Sequence, residues 1–247
     1  MVKKRTILSR QEREEQILKV AARVFATKGY RHTSVTDIVE EAGVARGTFY
    51  HYFNSKKDIF LRLVDLYFHN ISNLMHQSGK RLREGIEAGE PPLLLWYDQA
   101  LEYLRFHREN PHLSVSVLQE AMGTDPQFSE RVAELSRAVR MHLSEDLRLL
   151  HRMGLIIKVD FDLAATFIMG TSVAAVLNHV MPDPRCDLKR IAFEQVRNHS
   201  RALAVSQAAV DAALAEMESI LMGRERDRVS VEAQKGNPCA IADEKKP

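Results

Sequence analysis

Cysteine is nearly absent: Cys186 and Cys239 are the only two in 247 residues. Two thiols in a chain of this length make neither a disulfide framework nor a metal cluster of their own. No Cys-x-x-Cys pair, glycine-rich phosphate loop or nucleophile elbow occurs, so the chemistries those motifs serve have no carrier here. Ten histidines are present, yet His69 with His76, and His107 with His112, lack the i, i+4 spacing of a helical metal site. No catalytic residue, no metal and no cofactor is expected. No apolar run of signal-peptide type follows Lys3, Lys4 and Arg5, and no window reaches the ~18 apolar residues of a membrane span. The expectation is a soluble cytoplasmic protein without a membrane partner. Alternating apolar and polar runs, the mark of half-buried strands, are missing as well, and there is no internal repeat.

What is present is apolar spacing of three and four residues nearly throughout, so the chain reads as all-α. Hydrophobic residues make up 45% and charged ones 28%, enough to fill a core. The first helix is expected from about Ser9 to Lys28, with Ile17, Val20, Ala21, Val24 and Phe25 as its buried stripe and Gly29 as its stop. Ser34 with Asp37 resembles a capping box and opens a short helix ended by Gly43. A third helix is expected over Ala45 to Phe53, and Asn54-Ser55 caps a long fourth. Further helices are expected near 93–108, from Pro111 to about Met122, and from Asp125-Pro126 to Met153. Another begins at Asp160 or Asp162 and ends before Pro182, and one or two occupy 187–223. The charged remainder, 224–247, with Gly236 and Pro238, reads as a disordered tail.

Charge is unevenly spread. The first sixty residues hold twelve lysines and arginines against seven acids, although the whole chain carries only +2. An anionic partner, if there is one, belongs at the amino-terminal end. The stretch VTDIVEEAGVARGTFYHYF, residues 35–53, sits there. Ala45, Phe49 and Phe53 share one helical face and, with Val44 and Ile38, close a small core. The opposite face carries Gly47, Thr48, Tyr50 and His51, with Arg46 and Tyr52 at its edges. It has no acid between Ala42 and Asn54, where an ordinary surface helix carries Lys and Glu. Small, flat and donor-bearing groups suit phosphates and base edges. Gly47 costs roughly 1 kcal/mol of helix stability against alanine, which is sensible where something approaches the backbone closely. The Ala42-Gly43-Val44 turn fits the short connection of a helix-turn-helix. An ordinary three-helix surface is the plain alternative.

These residues resemble a known family. Phe25-Ala-Thr-Lys-Gly-Tyr30, Thr33-Ser-Val-Thr-Asp-Ile-Val39, Ala42-Gly-Val-Ala-Arg-Gly-Thr-Phe-Tyr50, Tyr52-Phe53 and Ser55-Lys-Lys57 are similar to the DNA-binding domain of TetR-family transcriptional repressors. The resemblance covers residues 10 to about 70, with the helix-turn-helix at 34–53. It implies that Ser34 and Thr36 touch the DNA backbone or a base and that Arg46, Gly47 and Thr48 meet base edges. It further implies that Tyr50 bonds a phosphate, that His51 and Tyr52 add contacts, and that Lys56 pairs with the DNA backbone. Residues 1–9 then read either as a basic arm for the adjacent minor groove or as a loose solubilising terminus.

Residues 71–223 are expected to form a larger helical domain for ligand binding and dimerisation. Between Phe161 and Met181, one face carries Phe161, Ala165, Ile168, Ser172, Val176 and His179. The other carries Leu163, Phe167, Gly170, Ala174, Leu177 and Met181. A helix apolar on both sides is covered on both sides, by its own core and by a second copy. The last apolar helix, with Ala213 and Met217, would supply the partner face of a four-helix bundle. A helix fully internal to a monomer is the alternative. The family resemblance favours the homodimer, which would read a palindromic double-stranded operator. Trp96, Ala100, Tyr103 and His107 share a stripe wider than one neighbour needs, and Leu118 and Met122 face the same space. These residues could line a site for a small, largely apolar effector, although His107 reads first as a hydrogen-bonded core histidine. The resemblance implies a repressor released by that effector. An activator of the same fold, or a helical interaction module without DNA, are the alternatives.

Overall fold

Short-range caps set the helix boundaries. The computed structural model describes residues 9–120 and 125–235. Ser9 Oγ accepts from the Glu12 N–H at 3.2 Å while the Glu12 carboxylate accepts from the Ser9 N–H at 2.7 Å, and this reciprocal box starts α1 (Arg10–Lys28). Ser34 and Asp37 repeat the box at α2 (Val35–Ala42). After the short α3 (Arg46–Tyr50), Ser55 caps α4 (Lys56–Glu87). Prolines open α5 (Pro92–Glu109) and α6 (Pro111–Glu120), where their missing N–H costs nothing. Asp125, Asp160 and Asp187 cap α7 (Pro126–Arg152), α8 (Phe161–Ala175) and α9 (Leu188–Leu203). One π-helical turn, Val176–Val180, prolongs α8, and α10 spans Gln207–Lys235. The class is all-α. Among the described residues the only β-type pairing is an isolated bridge between Ile156 and Ala204.

The first four helices close a small aromatic core. Ile17, Ala21 and Phe25 of α1 meet Ile38, Phe49, Phe53, Ile59 and Phe60, all buried. Burying a side chain of this size stabilises by about 1.5–3 kcal/mol. The core does not stop there. α4, with 32 residues, runs roughly 48 Å and packs along α7. A division at residue 70 therefore falls inside one helix, and a single apolar cluster extends from Ile17 to Met217. Four contacts fasten the seam. Ser116 Oγ on α6 donates to the Ala22 carbonyl at 2.8 Å. Lys57 pairs with Asp125 at 2.9 Å, and Arg131 with Asp65 at 2.7 Å. Phe128, on the first turn of α7, packs against both Phe60 and Tyr30 with ring centroids 4.5 and 4.9 Å away.

The structure corrects several expectations. α3 ends at Tyr50 rather than Phe53, and Ala45 is exposed. Its end tightens to three-residue hydrogen bonds, such as Tyr52 N–H to the Phe49 carbonyl at 3.0 Å, before the Ser55 cap intervenes. α10 continues through the stretch read as a tail. Arg224 lies 3.3 Å from both Asp98 oxygens, and Lys189 pairs with Glu225 at 2.6 Å. Only 236–247 of that expectation lies outside the described residues. Met217 is fully buried with Val210 and Leu214, because α10 packs its apolar stripe onto α5 and α9 of its own chain. It is not available to a second copy. Finally, Phe161–Val180 is a 20-residue helical segment of mean hydropathy 1.5, long and apolar enough to cross a membrane by length and composition. Ala165, Ile168, Val176 and Val180 bury one side of it in the body.

Candidate nucleic-acid interface

The reading surface is built by one turn. Gly43 takes φ +63°, a left-handed conformation that glycine adopts without a Cβ clash, and its N–H donates to the Glu40 carbonyl at 3.1 Å. That stops α2 and turns the chain into α3. Phe49 and Phe53 anchor α3 from below, so its outer side faces solvent. Arg46, Gly47, Tyr50 and His51 are exposed, Tyr50 by 46%, and Thr48 and Tyr52 are half-buried. A Cβ on Gly47 would meet nothing within 4 Å, so no contact inside the chain requires glycine there. Arg46 Nη2 lies 3.4 Å from the Tyr50 hydroxyl and its guanidinium 5.7 Å over the ring, pre-aligning two donors on one face.

The other sequence-derived residues divide. Ser34 and Thr36 are exposed at the start of α2. The Ser34 hydroxyl is engaged in the cap, 2.6 Å from an Asp37 oxygen. Lys28 and Ser34 together hold the Asp37 carboxyl well below the usual carboxylate range. Tyr52 packs on the core beside His51. Lys56 is turned inward: its ammonium donates to the Tyr30 carbonyl at 2.8 Å and sits 4.4 Å from that ring, and burial lowers its pKa. It pins the α1–α2 loop to α4. Lys3, Lys4 and Arg5 lie outside the described residues.

The helical body holds a partly open cavity of about 250 Å³. Trp96, Ala100, Tyr103 and Leu118 stand in its wall. Met122 lies outside the described residues. His107 takes its core reading and not a place in the wall: it is fully buried, its Nδ1 2.8 Å from Ser114 Oγ, because the start of α6 covers the last turn of α5. Sequence reasoning missed the walls from α4, α7, α8 and α9, including Tyr67, Met75, Val132, Val139, Ser172 and His199. Their spacing gives an apolar stripe, the same signal that solid core gives.

Burial holds the His107 imidazole neutral down to about pH 3, against an ordinary value of 6.5. Between these values the unfolded chain binds the extra proton and the folded chain does not. Stability is therefore lost as pH falls from 6.5 towards 3. Urea midpoints at pH 7 and pH 5 should draw closer together in His107→Gln than in the unaltered protein. An unchanged gap would refute the assignment.

A glycine-turned helix pair whose second helix shows an acid-free outer face bearing Arg46, seated on a helical body with its own apolar cavity, is the build of a helix-turn-helix DNA-binding protein. Comparison with known proteins agrees. Residues 17–63 match the model of the bacterial regulatory proteins of the tetR family. An uncharacterised HTH-type transcriptional regulator of Bacillus subtilis, YerO, is 36% identical over 81 residues, 33% of this chain, and the chain spans only 26% of that protein's length. The fatty acid metabolism regulator protein of Bacillus subtilis is 26% identical over 174 residues, covering 70% of this chain and 86% of that protein. The crystal structure of the regulator FadR from Bacillus subtilis in complex with stearoyl-CoA superposes with a TM-score of 0.61 at 25% identity, over 75% of this chain and 97% of that one. Over residues 17–63 the chain thus carries the domain of the tetR-family bacterial regulatory proteins.

Proposed function

We propose that this chain is a cytoplasmic, ligand-responsive repressor that binds a palindromic DNA operator as a homodimer and is released by a small, largely apolar effector. The observation that carries the reading is the exposed α3 face, free of acids and held by the Gly43 turn, on a chain whose helical body holds an apolar cavity. A two-fold pair of such heads matches half-sites about 34–36 Å apart. The dimer face is the outer side of α8, where Phe167, Gly170 and Ala174 are exposed and Leu177 is half-buried; Ala213 on α10 is half-buried nearby in sequence to the buried Met217. The family's regulators, including fatty-acid regulators, support the effector reading.

Coupling follows from the seam. Val117 and Leu118 line the cavity on α6, and Ser116 between helix faces bonds α1. Val132 lines it on α7, one turn from Phe128. A ligand that prefers a displaced α6 or α7 displaces the heads, by no more than its preference between the two states.

Sequencing of genomic fragments retained by the purified protein tests the reading directly, and recovery of no common palindrome would refute it. With that operator in hand, Tyr50→Ala should weaken binding to every sequence by about tenfold, as loss of a phosphate contact does. Arg46→Ala should instead erode discrimination at one base position by about 1–3 kcal/mol. Intact operator affinity in Tyr50→Ala would show that another surface meets the DNA.

A further inference from the structure

The cavity wall bears on the charge of its ligand, an inference that rests on the ligand-responsive reading above. Among the described residues that line it there is no lysine, arginine, aspartate or glutamate, and residues 121–124, Ala-Met-Gly-Thr, hold none either. The lining side chains that can ionise are the phenols of Tyr67 and Tyr103 and the imidazole of His199. Burial drives each of them towards its neutral form: it raises both phenols above their ordinary value and lowers the imidazole. The wall is therefore uncharged around neutral pH. Several of its polar groups already have partners. His199 Nε2 lies 2.8 Å from Thr171 Oγ1, and Gln195 Nε2 donates to Ser172 Oγ at 3.4 Å.

An ion placed among such groups gives up its water and finds no opposite charge, which is costly for either sign. What excludes a carboxylate here excludes an ammonium as well. One buried acid stands close by in sequence. Asp146 lies three residues beyond the lining Leu143 on α7 and is not itself part of the lining. It packs on α4, where a Cβ on Gly79 would lie 2.9 Å from its Oδ1, and that oxygen is 4.0 Å from Arg83 Nη1. Burial pushes its carboxyl up to about 6.

We infer that the cavity takes its effector as an uncharged molecule, a hydrocarbon body carrying a neutral group such as an alcohol or ketone, and that a carboxylic acid or an amine enters only after losing its charge.

Trp96 provides the readout, because it is the only tryptophan, lines the cavity and stacks on His199 with ring centroids 6.1 Å apart. The full-length protein is titrated with decanol, decanoate and decylamine from about pH 6 to about pH 8 while tryptophan fluorescence is followed. Decanol should bind equally across the range. Decanoate should weaken by about tenfold for each pH unit gained, and decylamine should tighten by about tenfold, because each exchanges one proton before it enters. Asp146→Asn should keep both slopes; their loss in that variant would trace them to the Asp146 carboxyl and overturn the inference. Ala100→Phe, which narrows the space, should abolish the decanol response, and an unchanged response would place the ligand elsewhere and overturn it too. Decanoate affinity independent of pH would show that the ion itself is accepted, which overturns the inference and leaves the cavity's role intact. Failure of decanol to bind the unaltered protein would overturn it together with the cavity's role as a ligand site.

Discussion

Phe167→Glu is expected to yield a single chain that no longer holds operator DNA. The residue sits at the middle of the outer face of α8, with 64% of its surface exposed, flanked by Leu163 at 50%. A Cβ on Gly170, one turn on, would meet nothing within 4 Å, so a neighbouring helix can come close there. This exposed apolar face, on a helix that buries Ala165, Ile168, Val176 and Val180 in the body, is the subunit contact proposed above. Burying a glutamate against its symmetric copy costs several kcal/mol per ion and is counted twice across a two-fold axis. Elution from a sizing column should therefore move to the mass of one chain. Operator affinity should fall by more than about 100-fold, because one head cannot use the second half-site. An unchanged elution volume with intact DNA retention would place the subunit contact elsewhere.

Phe128→Ala is expected to cost about 3–5 kcal/mol of folding stability, the range for a fully enclosed phenylalanine. Its ring is fully buried against Phe60 and Tyr30, and Lys57 Nζ lies 5.8 Å from its centroid. Lys57, the long side chain beside the ring, is held by Asp125 at 2.9 Å and is not free to fill the hole. The urea midpoint should drop accordingly, with Phe128→Leu losing less than half as much. A loss below about 1 kcal/mol for the alanine variant would show that the seam is loosely packed.

Much of the reading surface was legible because its signals are local. The Ser34–Asp37 box, the Gly43 stop and the caps at Ser9, Ser55 and Asp125 each act within three residues, and all appear in the structure. The length of α3 was less legible, because Phe53 keeps the helical face although the backbone has tightened. Long-range pairings left no local trace. Arg224 finds Asp98 from 126 residues away, which turned an expected tail into helix. A helical wheel shows that α10 has an apolar side but not what covers it, so Met217 was assigned outward although it faces inward. The same ambiguity separates Trp96 from His107. Both lie on one stripe of α5, and only the crossing of α6, with Ser114 against the imidazole, ends the cavity between them.

The unbroken core has a bearing on how such regulators diversify. A head transplanted from a relative would arrive with its own Ala22, Tyr30 and Phe60 equivalents, facing a Ser116 and Phe128 shaped for others. Chimeras of this chain would have to carry α6 and the opening turns of α7 along with the head, or lose their response while keeping their shape. The modular unit is therefore larger than the segment that touches DNA.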